Sequence, residues 1–283
     1  MILRKPTWLK IRVISNEERK FLTGLIKEYG LNTVCVEAKC PNLSDCWSRK
    51  TATFMINGRI CTRNCRFCSV TTGKPEPLNP EEPLKVALAI RKLGLKYCVI
   101  TSVTRDDLPD GGANQWAETI LEIKKINPGV KVEVLIPDFK GNRDALNKIF
   151  SANPDVLGHN LETVKELYQK VRPEANYEIS LEILKRSAEK GFITKTGIMV
   201  GLGETANQVK RLIDDVSEAG CKVLTIGQYL QPSKEHLSVA RYVTPEEFEN
   251  YHNYALARGI KYVFSAPLVR SSYHANEVFN QSA

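Results

Sequence analysis

Hydrophobic residues follow two alternating patterns along most of the chain. Between residues 53 and 265, short β-branched and apolar runs alternate with longer amphipathic segments. Such short runs are typical of strands that are buried on both faces of a parallel sheet. We predict seven of these strands, over residues 53–57, 97–102, 130–136, 155–158, 196–200, 222–226 and 262–265.

The longer segments between these strands carry helix signals. After Glu204, apolar residues recur at helical spacing and Gly220 follows the last of them, the set being Val209, Leu212, Ile213 and Val216. A later helix is predicted to begin at Thr244, because Pro245 suits the first helical position and Glu247 completes a capping box.

Strand and helix alternate about six times, which implies right-handed βαβ crossovers and an α/β fold class. The pattern alone leaves a barrel and an open doubly wound sheet as alternatives. We divide the chain into an N-terminal extension of residues 1–52, a repeat region of residues 53–265 and a C-terminal tail of residues 266–283.

Composition and charge narrow the class of protein. Hydrophobic residues make up 42% of the 283 residues, so a large core is expected. No apolar run is long enough to cross a bilayer, and the first residues lack the apolar stretch of a secretory signal. We therefore expect a cytoplasmic protein that is not bound to a membrane. The net charge is +8, but basic and acidic residues are interleaved, so we expect a solvated basic surface and no nucleic-acid binding.

Six of the eight cysteines lie between positions 35 and 68, in two triplets. The triplets are Cys35-x4-Cys40-x5-Cys46 and Cys61-x3-Cys65-x2-Cys68. Thiols stay reduced in the cytosol, so this density indicates metal ligation rather than disulfides. A structural zinc site with four pooled thiolates is an alternative, and simple buried packing is a weaker one. Cys98 and Cys221 lie within strand patterns and are interpreted as small buried hydrophobes.

The second triplet directly follows the strand predicted at residues 53–57, at the end where α/β barrels carry their active sites. Three thiolates on a four-iron cluster leave one iron open to a ligand. The triplet resembles the Cys-x3-Cys-x-aromatic-Cys motif of the radical S-adenosylmethionine (SAM) superfamily, which Cys61, Cys65, Phe67 and Cys68 match. The resemblance implies a partial (β/α)6 TIM-type barrel with N-terminal and C-terminal extensions. It also implies a [4Fe-4S] cluster whose open iron binds SAM and drives radical chemistry.

Further residues are candidates for SAM contacts on the same resemblance. The stretch Gly197–Glu204 fits the family pattern Gly-x-Ile-x-Gly-x-x-Glu, with Met199 in the Ile position, which makes Gly201 and Glu204 candidates beside the adenine. Asn160 also ends a predicted strand and is a candidate for ribose or adenine. Thr101 and Ser102 end the second strand, where this superfamily holds the SAM amino group.

The first triplet and the tail resemble the lipoyl synthase family within this superfamily. Its members combine Cys-x4-Cys-x5-Cys with a terminal Arg-Ser-Ser-Tyr-x-Ala, and this chain has Arg270-Ser-Ser-Tyr-His-Ala275. Three other stretches agree, namely Thr101–Gly112, His159-Asn160 and Gly227–Ser233. The resemblance runs from about residue 30 to residue 275.

This resemblance implies insertion of two sulfur atoms, at C6 and C8 of an octanoyl chain carried on a lysine. The cofactors would be SAM and two [4Fe-4S] clusters. The auxiliary cluster, held by Cys35, Cys40, Cys46 and Ser272, would donate the sulfur, with Ser271 as the alternative ligand. The partners would be an octanoylated lipoyl-carrier domain, of glycine-cleavage H-type or dehydrogenase E2-type, and an electron donor such as ferredoxin or flavodoxin.

Three other functions are compared with this one. A biotin synthase-like radical SAM sulfurtransferase would lack the N-terminal triplet and the Arg-Ser-Ser-Tyr tail. A two-cluster electron carrier would normally supply four thiolates to each cluster and would be small. A zinc-dependent binding module could use the positive charge to bind nucleic acid. Metal analysis would separate it from the iron–sulfur proteins, since it would contain zinc without iron.

Overall fold

The chain is described by a computed structural model over residues 4–9, 17–38, 40, 42–43, 46, 53–272 and 275. It divides into two compact units. We call Arg12–Arg63 with Ser69–Leu157 the N-unit, and Met1–Ile11 with Asn64–Cys68 and Gly158–Ala283 the C-unit.

The N-unit contains a mostly parallel set of strands with helices between them. Its elements are α1 (Glu17–Tyr29), β1 (Asn32–Thr33), α2 (Val34–Glu37), β2 (Thr53–Ile56), α3 (Glu82–Leu93), β3 (Tyr97–Ser102), α4 (Ala113–Ile126), β4 (Lys131–Leu135), a 3-10 turn (Phe139–Gly141), α5 (Arg143–Ala152) and the start of β5 (Val156–Gly158). β1 pairs antiparallel with β2, whereas β2, β3 and β4 are parallel. Thr101 pairs with Met55 on one side and with Leu135 on the other.

The C-unit continues the alternation of strand and helix. Its elements are two 3-10 turns (Thr7–Leu9 and Lys165–Leu167), α6 (Tyr168–Val171), α7 (Tyr177–Glu189), β6 (Ile193–Val200), α8 (Ala206–Glu218), β7 (Val223–Gln228), α9 (Pro245–Ala257) and β8 (Tyr262–Ser265). β6, β7 and β8 are parallel, and Met199 pairs with Gly227.

All seven predicted strands are present, with ends that differ by a few residues. β6 begins at Ile193, three residues earlier than predicted, because Ile193, Thr194 and Lys195 continue the strand before the apolar run. β1 was not predicted, since two residues are too short to show an alternating pattern. Both predicted helices are confirmed as α8 and α9, and Gly220 adopts the left-handed backbone just after α8.

The strands form the buried interior of each unit. All six residues of β7 are buried, as expected for a strand covered on both faces. α8 contributes one apolar face to the same core, through Val209, Leu212, Ile213 and Val216. In the N-unit, Trp116 and Ile120 of α4 are fully buried and so is Ile100 of β3.

Six strand–helix repeats, from β2 to α9, are followed by a final strand β8. This order is that of a partial (β/α)6 barrel, so the α/β fold class is confirmed. In such folds the loops after the strand ends carry the functional groups. Across the described ranges, no helix has the length and apolar character needed to cross a membrane. The division into an extension, a repeat region and a tail stays a prediction.

Candidate functional site

Cys61 lies in the N-unit, in the loop that follows β2. The Cys61 backbone pairs with the returning loop, since its N–H donates to Thr71 O at 2.8 Å and its carbonyl accepts from Gly73 N–H at 3.0 Å. Its Sγ lies 3.4 Å from two backbone donors, the N–H groups of Arg63 and Thr104. Two backbone donors directed at one sulfur suit a cluster ligand.

Arg63 fixes this loop to the ends of two neighbouring strands. Its guanidinium contacts Asp106 at 2.7 and 3.0 Å, after β3, and Asp138 twice at 2.6 Å, after β4. Burial alone would lower the pKa of Arg63, but the hydrogen bonds and charges of Asp138 and Asp106 outweigh it and raise that pKa above its usual value. The side chain therefore stays charged inside the N-unit.

Thr101 and Ser102 lie at the end of β3, as predicted, and both hydroxyls have structural partners. Thr101 Oγ1 donates to Leu135 O at 3.1 Å, and Ser102 Oγ accepts from Trp116 Nε1 at 3.2 Å. Each hydroxyl oxygen keeps capacity for a further bond. Contact of these residues with SAM remains a prediction.

The first cysteine triplet is also in the N-unit. Cys35 is buried on α2, whereas Cys40 and Cys46 are half-buried. Backbone bonds fold this segment on itself, because Cys40 N–H donates to Cys35 O at 3.1 Å and Cys46 N–H donates to Asn42 O at 2.9 Å. Residues 39, 41, 44–45 and 47–52 lie outside the described residues.

Cys65 and Cys68 belong to the C-unit, where they form a short turn. Cys68 N–H donates to Cys65 O at 2.9 Å. Both backbone groups of the intervening Arg66 are engaged, the N–H with Val171 O at 3.0 Å and the carbonyl with Leu237 N–H at 3.0 Å. These bonds set the backbone from which both thiols project.

Phe67 and His236 both anchor this turn, one by packing and one by a polar contact. Phe67 is partly buried against an apolar cluster that includes Leu202 and Tyr229. His236 Nε2 lies 2.9 Å from Cys68 O. His236 and Arg63 were not predicted as site residues, and the only signals in the sequence were their residue types and, for Arg63, its place between two cysteines.

The Gly201–Glu204 turn follows β6. Glu204 is buried, and its two carboxylate oxygens accept the N–H groups of Gly201 at 2.6 Å and Leu202 at 2.9 Å. Gly201 has φ +97°, and a Cβ there would lie 2.6 Å from Arg241 O, so only glycine fits. Glu204 thus closes its own turn, and its contact with the cofactor remains a prediction.

Asn160 lies at the end of β5 with one unsatisfied polar atom. Its Nδ2 donates to Glu162 Oε1 at 3.0 Å, while its buried Oδ1 has no partner in the described part of the chain. A Cβ on Gly197 would lie 3.0 Å from that oxygen. A buried acceptor without a donor suits a site for a ligand hydroxyl or amine.

Burial raises the pKa of the Glu162 carboxyl, and the nearby Arg172 opposes that shift.

The tail passes over the end of β7. A Cβ on Gly227 would collide with Val269 O and lie 2.9 Å from Arg270 Nη1. Arg270 Nη1 also donates to Val269 O at 2.6 Å, so the tail turns on itself just before Ser271 and Ser272. Both serines are half-buried, and residues 273–274 and 276–283 lie outside the described residues.

Cys65, Phe67 and Cys68 are thus brought together in the C-unit, and Asn160, Gly201, Glu204 and Ser272 lie in the same unit. Cys61, Thr101, Ser102, Cys35, Cys40 and Cys46 lie in the N-unit. No group of three or more His, Cys, Asp or Glu side chains is placed to hold a metal ion, within the residues that the structure describes.

Comparison with known proteins identifies the family. The Radical SAM superfamily profile matches residues 55–216. The lipoyl synthase of Parabacteroides distasonis is 56% identical over 275 residues, covering 97% of this chain and 98% of the relative. The chain belongs to the lipoyl synthase family. The lipoyl synthase of Caldanaerobacter subterraneus is 55% identical over 278 residues, covering 98% and 97% of the two chains.

The resemblance to lipoyl synthases is therefore confirmed, and the chain is a sulfurtransferase of the radical SAM superfamily. Membership of the superfamily implies a [4Fe-4S] cluster and SAM. Lipoyl synthase membership implies an octanoylated carrier protein as substrate.

Solved structures show the same fold at low identity. Streptococcus suis SuiB bound to S-adenosylmethionine aligns with a TM-score of 0.60 at 11% identity, over 79% of this chain and 53% of that one. Methylornithine synthase (PylB) aligns with a TM-score of 0.54 at 14% identity, over 92% and 85% of the two chains. These alignments support the partial TIM-type barrel of this lipoyl synthase family member.

Proposed function

We propose that this chain inserts sulfur at C6 and C8 of an octanoyl group that is amide-linked to a lysine of a lipoyl-carrier domain. One observation carries the proposal: relatives named lipoyl synthase match almost the whole chain at 51–56% identity. The chain itself contains both cysteine triplets and the Arg270-Ser-Ser-Tyr tail.

Cys61, Cys65 and Cys68 would hold the [4Fe-4S] cluster that binds SAM. The donor chemistry fits, because three free cysteines are present and two backbone N–H groups point at Cys61 Sγ at 3.4 Å. When bound, cluster and SAM together supply the one-electron chemistry that removes hydrogen from an unactivated carbon. The protein holds the ligands in place through the Arg63 salt bridges and the hydrogen-bonded Cys65–Cys68 turn.

The SAM contacts would come from polar groups at strand ends. Asn160 Oδ1 is buried and needs a donor, which a ribose hydroxyl would supply. Gly201 and Glu204 would lie beside the adenine, as the match of Gly197–Glu204 to the family pattern implies. Thr101 and Ser102 would receive the SAM amino group with their remaining acceptor capacity, and Phe67 would support the cluster turn through its packing.

An auxiliary [4Fe-4S] cluster would be held by Cys35, Cys40, Cys46 and Ser272, with Ser271 as the alternative fourth ligand. Soft thiolates suit iron–sulfur clusters. A serine oxygen is a harder ligand and should be released more easily than a fourth thiolate, as a sulfur-donating cluster requires.

The carrier domain, of H-type or E2-type, would bind through complementary charge. The chain carries a net charge of +8, so an acidic carrier would associate faster at low salt. Electrons would come from a carrier such as ferredoxin or flavodoxin. We propose a cytoplasmic location, with neither nucleic acid nor membrane as a partner.

A biotin synthase-like sulfurtransferase is the alternative within the superfamily. It would also cleave SAM, so deoxyadenosine formation alone does not separate the two reactions. The sulfur-containing product does, because only lipoyl synthesis gives a doubly thiolated octanoyl-lysine.

The test is an anaerobic single-turnover reaction on the cluster-reconstituted protein. The reaction contains reductant, SAM and an octanoyl-lysine peptide, and products are measured by mass spectrometry. We expect 5′-deoxyadenosine and a doubly thiolated peptide. Deoxyadenosine without peptide sulfur would refute the lipoyl reaction, and neither product from iron-loaded protein would favour an electron carrier.

Variants separate the two clusters. Cys65→Ala should abolish SAM cleavage, whereas Cys40→Ala should retain SAM cleavage and lose sulfur transfer. Ser272→Ala and Ser271→Ala form a matched pair, since both serines are half-buried in the same turn. We expect only Ser272→Ala to lose sulfur transfer. The reverse result would assign the ligand to Ser271.

A further inference from the structure

The segment between β7 and α9, Tyr229–Val243, is fastened to two separate turns of the C-unit, and we call it the strap. Near its C-terminal end, Ala240 N–H donates to Gly201 O at 2.9 Å, in the turn closed by Glu204. Gln228 fixes the same end, with Nε2 donating to Arg241 O at 3.1 Å and Oε1 accepting from Val243 N–H at 2.8 Å. This end of the strap is therefore tied to β6 and β7.

The middle of the strap is tied to the Cys65–Cys68 turn. Leu237 N–H donates to Arg66 O at 3.0 Å, and His236 Nε2 lies 2.9 Å from Cys68 O. A carbonyl oxygen can only accept, so Nε2 carries a proton in this contact. His236 is the side chain that links the strap to the backbone of a cysteine in the motif.

Several contacts hold the His236 ring in this orientation. Ser233 Oγ lies 2.7 Å from Nδ1, and Ser233 also contacts Glu235. Gln231 Nε2 donates to His236 O at 2.9 Å, and Tyr229 Oη donates to Leu237 O at 2.7 Å. Ser233 therefore orients the ring, while Gln231 and Tyr229 hold the backbone of His236 and Leu237, so that the ring is placed before any ligand binds.

We propose that His236 is a positioning residue that holds the Cys65–Cys68 turn at a fixed distance from the Gly201–Glu204 turn. The proposal rests on the proposed function, in which the first turn carries two cluster ligands and the second lies beside SAM. The strap connects the two turns through Cys68 O at one point and Gly201 O at the other. Loss of the His236 bond would loosen the Cys68 end of the first turn, which Arg66 would still hold to Leu237 and Val171, and would leave the second turn unchanged.

The bond should also change the electronic environment of the Cys68 thiolate. Donation to the Cys68 carbonyl withdraws negative charge from the vicinity of the sulfur, which favours the reduced cluster. Removing the donor should therefore shift the cluster reduction potential to a more negative value. A side chain that only filled space would not have this effect.

The experiment compares four variants with the wild type, all as reconstituted holoprotein: His236→Ala, His236→Gln, Ser233→Ala and His252→Ala. Gln can still donate from Nε2, and Ser233→Ala keeps the imidazole but removes its orienting contact. His252 is a half-buried histidine of α9 and serves as the matched control. Hydrogen exchange is measured across residues 64–68, together with iron content, cluster potential and the KM for SAM.

For His236→Ala we expect equal iron content and exchange at residues 64–68 about five- to tenfold faster, as loss of one hydrogen bond implies. The cluster potential should become more negative and the KM for SAM should rise. His236→Gln should recover most of the wild-type values, Ser233→Ala should be intermediate, and His252→Ala should match the wild type.

Two results would overturn the proposal. The first is unchanged exchange at residues 64–68 in His236→Ala, and the second is faster exchange spread equally over α7 and α8, which would indicate a general loss of stability. Failure of the proposed function is a separate result. It would appear as a wild type that makes no thiolated product, whatever the exchange and the potential of the variants.

Discussion

Arg63 and Asp138 form a paired salt bridge in which Nη1 and Nη2 each lie 2.6 Å from a different carboxylate oxygen. Their side chains are only 3% and 2% exposed. Asp106 accepts from the remaining edge of the guanidinium at 2.7 Å. The loop that carries Cys61 is therefore held by two carboxylates from the ends of two different strands.

Removal of the Arg63 charge should destabilise the N-unit strongly. Arg63→Met would remove the guanidinium that bridges Asp138 and Asp106, and breaking a buried ion pair in this way costs about 3–5 kcal/mol. The free energy of unfolding should be measured by urea denaturation at pH 7. Arg91→Met, on the exposed end of α3, is the control and should change stability by less than about 0.5 kcal/mol. An equal loss of unfolding free energy in Arg63→Met and Arg91→Met would show that the Arg63 salt bridges stabilise the fold no more than an exposed arginine does.

Cys98 and Cys221 should resist alkylation in the folded protein. Burial raises the pKa of Cys221 to about 12, and burial followed by the charges of Asp155 and Glu133 raises that of Cys98 further. Only the thiolate reacts, so at pH 8 both residues are almost wholly unreactive. Mass spectrometry of cluster-free protein after iodoacetamide should find these two thiols unlabelled until urea is added. Labelling of Cys98 at the rate of Cys40 would contradict the burial.

Local signals in the sequence were enough to place most secondary structure. Thr244 and Glu247 form the predicted capping box, with Thr244 Oγ1 accepting from Glu247 N–H at 3.2 Å and Glu247 Oε2 accepting from Thr244 N–H at 3.0 Å. β3 spans the residues that its apolar run predicted. In both cases the determinants lie within a few residues of one another.

The contacts that arrange the site were not predictable in this way. Arg63 and Asp138 are 75 residues apart, and His236 and Cys68 are 168 apart. No periodicity or spacing links residues at such separations, and each pair comes together only in the folded chain. The motif supplied the candidate ligands, whereas the side chains that hold them became visible only in the fold.

Gly227→Ala should separate sulfur transfer from SAM cleavage. The added Cβ would collide with the backbone oxygen of Val269, which cannot rotate away, so the tail with Ser271 and Ser272 must move. We expect 5′-deoxyadenosine formation to be retained and peptide thiolation to fall at least about tenfold, as for a misplaced catalytic group.

The control for this variant is Gly24→Ala, because nothing lies within 4 Å of the position where its Cβ would be. It should leave both products unchanged. If Gly227→Ala thiolates the peptide at the wild-type rate, the contact between Gly227 and the tail does not position Ser271 and Ser272 for sulfur transfer.

Glu82 should make stability depend on pH. Burial raises the pKa of this carboxyl, although Gln115, the N–H groups of Asn57 and Gly58, and Arg105 oppose the shift. An acid whose folded pKa lies above its unfolded value of about 4.3 stabilises the fold fully at lower pH, and that contribution is lost as pH rises through the folded pKa. Glutamine does not titrate, so the Glu82→Gln variant does not lose this contribution to stability as pH rises.

The stability of Glu82→Gln relative to the wild type should therefore increase between pH 4 and pH 7, as measured by urea unfolding at several pH values. A relative stability that falls with pH would mean that Glu82 is better solvated or better paired than its 7% exposure implies.

The fastening of the strap also limits how the protein can open. The fully buried Gln228 side chain contacts Val200 O, Tyr229 O and Arg241 O, and accepts from Val243 N–H. Segments that act as lids come from the least stable parts of a fold, with few buried bonds to break. The end of the strap near Gln228 is instead held by several buried hydrogen bonds. It should keep its position through each turnover, and any gating motion must take place in other segments of the chain.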